Sequence, residues 1–545
     1  MTGFNAIYSL ARADFLERIR RFSFLVVLGV TVVFGYTLVP PSSASYNGFV
    51  MYGSRGIYNS AWIGTLIGLS VASMLSLIGF YIVKDAVNRD YRTRVGQIIA
   101  STTISKFEYM IGKWLSNLTV LAAIIAILTV IAVAMQLVRG EDRSVNIWQL
   151  AAPIWCMSLP VMAWVAALAV LFETVPLLRG TLGYIAYIAL WGWIMMSISL
   201  GAMFDSPIDT IPYNDFMGAS ASITSMSRSM VAQGLDISTG TTDIYQPTSG
   251  QTVEHFTWGG VDWGFQLILG RLLWLAGSLG IVLLTALPFD RFDPARRRLE
   301  VRIRKKSKKR RKRAGEGTST VTDGSRSGGI GFTRLTPLSE APKRTRFWTL
   351  TRIELRMLLA GMAWWWYAGA LGLIIASAVV PKEPVRILLL AIAWAWPMMI
   401  WSLMGNREHH FQTEPLVFPV ARSVRRQLPA TWIAGTIVAL VMGSGYGLRL
   451  LLAGRTEMFA ALIVGAMFVS ALALACGVWT NGSRVFQILY PVLCYLGLWG
   501  VFRWFDFKGV NPESVAAGAP LFFLLLTAVL LVLAVLGRWR QIERS

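Results

Sequence analysis

Three histidines, three cysteines and 29 acidic residues against 51 basic ones are the reactive material of this 545-residue chain. His409 and His410 are adjacent, and neighbouring helix positions point about 100° apart, so they cannot hold one ion from one face as a spacing of four would. Cys156, Cys476 and Cys494 fall inside apolar runs, where a thiol behaves as a small hydrophobe and implies neither a disulfide framework nor a metal site. Gly112-Lys113 is followed by Trp114, so it is not a loop of the Gly-x-x-x-x-Gly-Lys-Ser/Thr kind that cradles phosphates. Charged and aromatic residues at the borders of apolar runs remain. Asp85, Arg89, Asp90, Arg94 and Gly96 open a polar stretch that also carries Ile98 and Ile99, and clustered charge around an apolar patch suits docking against a soluble partner. Arg271 stands inside an apolar run, where it can meet a substrate carboxylate or phosphate, snorkel, or bond helix carbonyls. Trp191 and Trp396 belong to aromatic, Met-rich stretches that could line an apolar substrate path or pack helices.

The elements that position these residues are membrane spans. Hydrophobic residues make up 55% of the chain and charged ones 15%, with a mean hydropathy of +0.55, which no single soluble core of ordinary surface accommodates. A bilayer core of about 30 Å needs about 20 apolar residues at helical rise. Some twelve runs qualify: 23–39, 61–83, 115–138, 150–172, 181–203, 264–288, 363–380, 387–405, 430–452, 458–478, 485–505 and 519–536. The expected fold is an all-α polytopic membrane protein of about twelve transmembrane helices in two six-helix repeats. Pro153, Pro160, Pro397 and Pro491 inside the runs should kink them. Lys and Arg gather before the first run and after the second and eighth, which places those ends and both termini in the cytoplasm. The N-terminal residues carry both signs of charge and no cleavage site, so the first span is expected to double as the insertion signal.

The two halves repeat each other. Leu10, Arg12, Asp14 and Phe15 return 340 residues later as Leu350, Arg352, Glu354 and Leu355; Asn88-Arg89-Asp90, Ser105 and Trp114 return 318 residues later as Asn406-Arg407-Glu408, Ser423 and Trp432. The longer outward loop 40–60, against 381–386, accounts for the change of offset. The first half is expected at 1–290 and the second at 346–545. Residues 4–22 and 347–362 show helical periodicity and should lie on the membrane, with Arg12, Asp14, Arg352 and Glu354 toward water. Residues 84–113 are too long for a turn and should contain a helix. Residues 205–262 and 503–518 face outward, the former with Trp258 and Trp263 at its return to the membrane. The joint, 291–345, opens with fourteen Lys and Arg in 291–313 against Asp293 and Glu300, then turns Gly/Ser/Thr-rich. That composition predicts a disordered tether whose nearest partner is anionic lipid headgroups rather than nucleic acid, since it lacks interleaved aromatics and adjoins a span.

The amphipathic helix 4–22, the Asp85/Arg89-Asp90/Arg94-x-Gly96 stretch, the Ser101-Thr102-Thr103-Ile104-Ser105-Lys106 run and Gly112-Lys113 resemble the type-2 permeases of ATP-binding-cassette (ABC) exporters. The resemblance extends over both halves, so the chain is similar to a fused pair of such permeases in a bacterial inner membrane. It implies that 84–113 couples to an ATPase subunit through Asp85, Arg89, Asp90, Arg94 and Gly96, and that 405–429 does so through Asn406, Arg407, Glu408 and Glu414. In the second segment Pro415 and Pro419 interrupt the pattern and no Gly matches Gly96. It also implies two ATPase partners, with ATP and Mg on them and no cofactor or catalysis in this chain. The expected cargo is amphipathic or hydrophobic: a drug, antibiotic, peptide or lipid. The alternative is a proton-coupled transporter of the major facilitator kind, which also has six plus six spans. It needs titratable groups inside the bilayer, where these runs hold almost no Asp or Glu. A membrane enzyme would need convergent His, Asp, Glu or Cys, which the sequence lacks.

Overall fold

A computed structural model of the chain describes residues 3–20, 22–40, 46–175, 178, 183, 186–192, 194, 215–235, 242–247, 254–289, 292, 347–381, 383–418, 423–498 and 505–544. The first half runs α1 (Gly3–Ile19), α2 (Phe22–Leu38), β1 (Tyr46–Met51), β2 (Ser54–Gly56), α3 (Ser60–Val83), α4 (Ala86–Arg92), α5 (Val95–Ala100), α6 (Lys106–Arg139), α7 (Ile147–Thr174), α8 (Ala219–Ala232), β3 (Thr242–Pro247), β4 (Glu254–Phe256) and α9 (Phe265–Thr285). The second runs α10 (Phe347–Leu359), α11 (Trp364–Val379), α12 (Glu383–Ala395), α13 (Met398–Trp401), α14 (Arg407–His410), α15 (Glu414–Val417), α16 (Ser423–Leu452), α17 (Thr456–Thr480), α18 (Arg484–Leu498), α19 (Pro512–Ala516) and α20 (Ala519–Arg544).

This is a multi-pass, helical membrane protein. Among the described residues seven helices are long and apolar enough to cross a bilayer, or nine if each bent pair at the head of a half counts as one span. The count of twelve is not confirmed among the described residues. The fifth run, 181–203, lies largely outside the described residues, as do 205–214, 236–241 and 248–253 of the segment 205–262 and all of 291–345 except Phe292. The eighth run is broken: α12 stops at Ala395 and α13 restarts after Pro397, which has no N–H to give and crowds the carbonyl four residues back. Pro153, Pro160 and Pro491, by contrast, stand within continuous helices α7 and α18.

The helix starts are written locally. Asn59 and Asn146 accept the backbone N–H of Trp62 and Gln149 at the heads of α3 and α7. Ser105 and Glu108 form a reciprocal capping box, so α6 begins at Lys106 rather than near Leu115, and Lys113 is a helix residue two turns in. In the first half α7 packs against α3, α6 and α9, and α3 is buried almost throughout, making it the central helix. In the second, α16 packs on α17, and α17 on α20. The peripheral helices α9 and α20 leave Leu272, Leu273, Leu284, Leu525, Val529 and Val532 more than half exposed, the surface a lipid environment covers.

One departure from the all-helical expectation stands over the first half. Loop 40–60 and segment 205–262 combine in a four-stranded sheet of order β3-β1-β2-β4, with β1 antiparallel to β2 and β3, and β2 parallel to β4. It sits at the end of the bundle where α3 and α7 start, over Trp62, whose ring meets Phe49, Phe256 and Trp258 at centroid distances of 5.6, 5.6 and 6.2 Å. Arg55 on β2 pairs with Glu141 at 2.6 Å, and Glu141 also accepts the Tyr58 N–H.

Candidate functional site

At the opposite end of the bundle the charged residues converge. Helix α1 turns by 76° into the span that follows it, and α10 turns by 105° into α11, the elbow geometry expected at both places. Phe4 and Tyr8 of α1 are exposed, as are Arg12 and Glu17, but Asp14 and Arg18 are buried. Arg352 is likewise exposed and Glu354 buried. The expectation that Asp14 and Glu354 face water is therefore corrected. Their carboxylates point inward because a cation waits there.

In the first half Asp14 accepts from Arg89 of α4 and from Lys113 of α6, the latter at 2.9 Å. Lys113 also pairs with Asp90 at 2.7 Å, and Tyr109 donates its hydroxyl to Asp90 at 2.7 Å. Arg89 extends the network to Glu17 at 3.2 Å. Burial alone would raise the Asp14 pKa, but the Lys113 and Arg89 charges outweigh it and hold the carboxyl below its ordinary range. Gly112 leaves room for the Leu10 side chain between elbow and span, a Cβ there falling 2.7 Å from Leu10 Cδ2. At the end of α7, Glu173 accepts the N–H groups of Ala86, Val87 and Asn88, three donors that the first turn of α4 leaves unpaired. Asp85 and Arg94, the residues before α4 and α5, are left-handed, with φ of 73° and 62°. Gly96 lies under the Phe292 ring, which also packs on Tyr91, Tyr109 and Phe289.

The second half makes a parallel set. Arg407 pairs with Glu354 of the elbow. Glu408 is buried and accepts from Gln427 at 2.7 Å and Arg538 of α20 at 3.4 Å. Pro415 starts α15 rather than interrupting a helix, at a position where its missing N–H is harmless; Pro419 lies outside the described residues. His409 and Glu414 meet at 2.9 Å beside Trp479 and Arg540 in a half-open cleft, while Asn406 is buried.

Burial sorts the candidate coupling residues. Arg89, Asp90, Glu408 and Asn406 are enclosed, and Asp85 is half-buried against Arg484 of the other half at 3.4 Å. The exposed surface is Arg92, Arg94, Val95, Gln97 and Ile98 in the first segment, with Ile98 67% exposed, and His409, His410 and Phe411 in the second, with Phe411 62% exposed. Tyr109, Glu173, Gln427 and Arg538 belong to the site without having been singled out from the sequence, and Lys113 was noted there only as half of Gly112-Lys113. Lys113 was readable as a cation one helical turn past a Ser-x-x-Glu cap; Arg538 was not, because nothing local ties it to Glu408.

The three candidates for a substrate path are engaged in packing. Arg271 is buried, pairs with Asp215 at 3.4 Å and donates to the Phe216 carbonyl at 3.1 Å. The indole of Trp191 donates to the Ser73 carbonyl, and that of Trp396 to the Trp366 carbonyl. No group of three or more His, Cys, Asp or Glu among the described residues is placed to hold a metal ion. Neither a protein-family model nor a curated protein sequence matches this chain.

Proposed function

We propose that the chain is the transmembrane permease of an ATP-driven exporter of the ABC type, two six-helix halves in one polypeptide, powered by two separate ATPase subunits. The observation that carries this reading is the tie, made twice, between an elbow-helix carboxylate and the arginine that opens the polar segment after the second run of its half: Asp14 to Arg89, and Glu354 to Arg407. Each tie binds a lipid-facing helix, a short exposed helix pair and a span into one body. A push on the exposed helices is then transmitted to the elbow and the bundle instead of being absorbed by a slack loop. The offsets of 340 and 318 residues that relate these pairs in the sequence support the duplication.

In this reading the docking surfaces are Arg92 to Ile98 and His409 to Glu414, and the buried pairs behind them transmit force rather than touch the partner. The cytoplasm lies at this charged end, the sheet faces outward, and the cargo is amphipathic or hydrophobic. The test is copurification and coupled activity. Pulling the full chain from membranes should bring an ATPase with it, and Arg94→Glu with Ile98→Asp should cut substrate-stimulated ATP hydrolysis at least about tenfold, since interface anchors lost to truncation or charge cost about 2 kcal/mol or more. Transport by the chain alone in nucleotide-free liposomes would overturn the reading.

A further inference from the structure

A narrow, half-open cleft lies at the seam between the halves. Its floor is charged, with Arg18, Lys84, Asp85, Arg89 and Arg484; its walls are apolar, with Phe24 and Val27 of α2, Ile82, Val120 and Ile488. Three acids lie around it, Asp85 on the floor itself and Asp14 and Glu173 close enough to act on the Arg18 charge. Asp85 pairs with Arg484, Asp14 serves Arg89 and Lys113, and Glu173 caps α4. Arg18 is 8% exposed, and its Nη1 is buried without a hydrogen-bond partner in the protein. A buried guanidinium with an unused donor is costly unless an acceptor completes it.

The second half shows that packing does not demand a cation at these places. By the 340-residue offset Arg18 corresponds to Leu358, which is buried at the same point of its elbow, and by the 318-residue offset Lys84 corresponds to Ser402. Arg18 and Lys84 are additions of the first half, and the second half supplies Arg484 to the same floor. We propose that this cleft binds a phosphate group, held by Arg18, Lys84 and Arg484. The planar donors of Arg18 and Arg484 match phosphate oxygens, and Lys84 adds a point charge. Phe24 and Ile82, both part-exposed and apolar, border the charges in a membrane protein, so the phosphate source favoured by the site is an anionic lipid headgroup. This inference needs only the membrane setting and is independent of how the chain is powered.

The experiment uses the full chain in neutral detergent, with phosphatidylglycerol, phosphatidylcholine and inorganic phosphate as probes, read by native mass spectrometry and thermal unfolding. Phosphatidylglycerol should be retained at about tenfold lower concentration than phosphatidylcholine, given about 1 kcal/mol per basic residue near an anionic headgroup. R18L, the residue the second elbow carries, should fold and bring that preference to under about twofold. If inorganic phosphate stabilises the chain and R18L removes that effect while lipid preference is nil, the site stands with free phosphate as its source. A preference unchanged in R18L would assign lipid binding elsewhere, the 291–313 run included, and overturn the proposal; so would equal binding of both lipids with no response to phosphate. Should R18L fail to fold, a photoactivatable phosphatidylglycerol on the unaltered chain decides the matter: crosslinks at Phe24, Val27 or Ile488 support the site, and crosslinks confined to other segments sink it.

Discussion

The two elbow-to-loop joints accomplish the same connection with different parts. In the first, the second carboxylate of the pair, Asp90, takes its cation from Lys113, two helices along and 23 residues away. In the second, Glu408 takes it from Arg538, on the last helix of the chain. Position 431, where the 318-residue offset places the counterpart of Lys113, is Thr. Tyr109 and Gln427, also 318 apart, fill the same donor role toward Asp90 and Glu408. A further contrast lies at the end of the fourth run. Glu173 reaches the backbone of residues 86–88, whereas Gly477 lets α17 touch the backbone of Met404 and Asn406 directly. The first joint is closed locally by charge; the second is closed by close packing and by a distant helix.

The sharpest way to break this contrast is to remove the two cations separately. Lys113→Ala leaves Asp14 and Asp90 buried with one cation between them and should cost about 3–5 kcal/mol, the usual result of orphaning a buried ion pair. Arg538→Ala leaves Glu408 with Gln427 still donating, at longer original distances, and should cost about 1–3 kcal/mol. Thermal unfolding of both variants in one detergent measures the difference. Equal losses would mean that the local and distant closures are equivalent, and the contrast would fail.

Packing is the next term. A Cβ on Gly477 would stand 1.9 Å from the Met404 carbonyl oxygen, a backbone atom that cannot rotate away. Gly477→Ala should therefore cost about 1–3 kcal/mol by overpacking. It should also loosen the 405–418 segment, seen as faster protease cleavage there while 84–105 is unaffected. A smaller effect attends Tyr109→Phe. The ring keeps its stack on Phe289 at 5.4 Å, and only the hydroxyl to Asp90 is lost, about 1 kcal/mol. A loss much larger than that of Gln427→Ala would show that the two donors are not counterparts.

These contrasts also mark what the sequence could reveal. The residues of the two ties, Asp14 with Glu354 and Arg89 with Arg407, were visible as a repeat, because a charge kept at a fixed offset is a strong local signal, but their pairing was not. Their direction was not visible: an Asp on an amphipathic helix reads as solvated, and only Lys113 and Arg89 arriving from other elements turn it inward. The capping box at Ser105 and Glu108 was readable and fixes the start of α6 about two turns earlier than hydropathy does, because Lys106, Glu108 and Lys113 dilute the apolar average. The break at Pro397 was readable as a kink and is a full interruption. The small sheet was hidden, since β1 and β3 are nearly 200 residues apart and pair across the bundle.

That sheet supplies the last and smallest comparison, because it covers the first half alone; the loop corresponding to 40–60 is the short 381–386. Its clasp is Glu141, which Arg55 and the Tyr58 N–H hold. Partial burial works to raise the Glu141 pKa, but the Arg55 hydrogen bond, the Tyr58 N–H and the Arg55 charge prevail and set it below the ordinary 4.5. A carboxyl with a folded-state pKa below its unfolded value stabilises the fold above the unfolded value, and that contribution disappears as pH falls through the folded one. The clasp is part-exposed, so its worth is under about 1 kcal/mol. Titrating unfolding from about pH 6 to about pH 3, Glu141→Gln should be less stable than the unaltered chain at the upper end and converge with it at the lower. Hydrogen exchange should place the loss in β1 and β2, with 381–386 unchanged. A gap between the two proteins that persists or widens toward low pH would mean that Glu141 acts through packing and not through its charge.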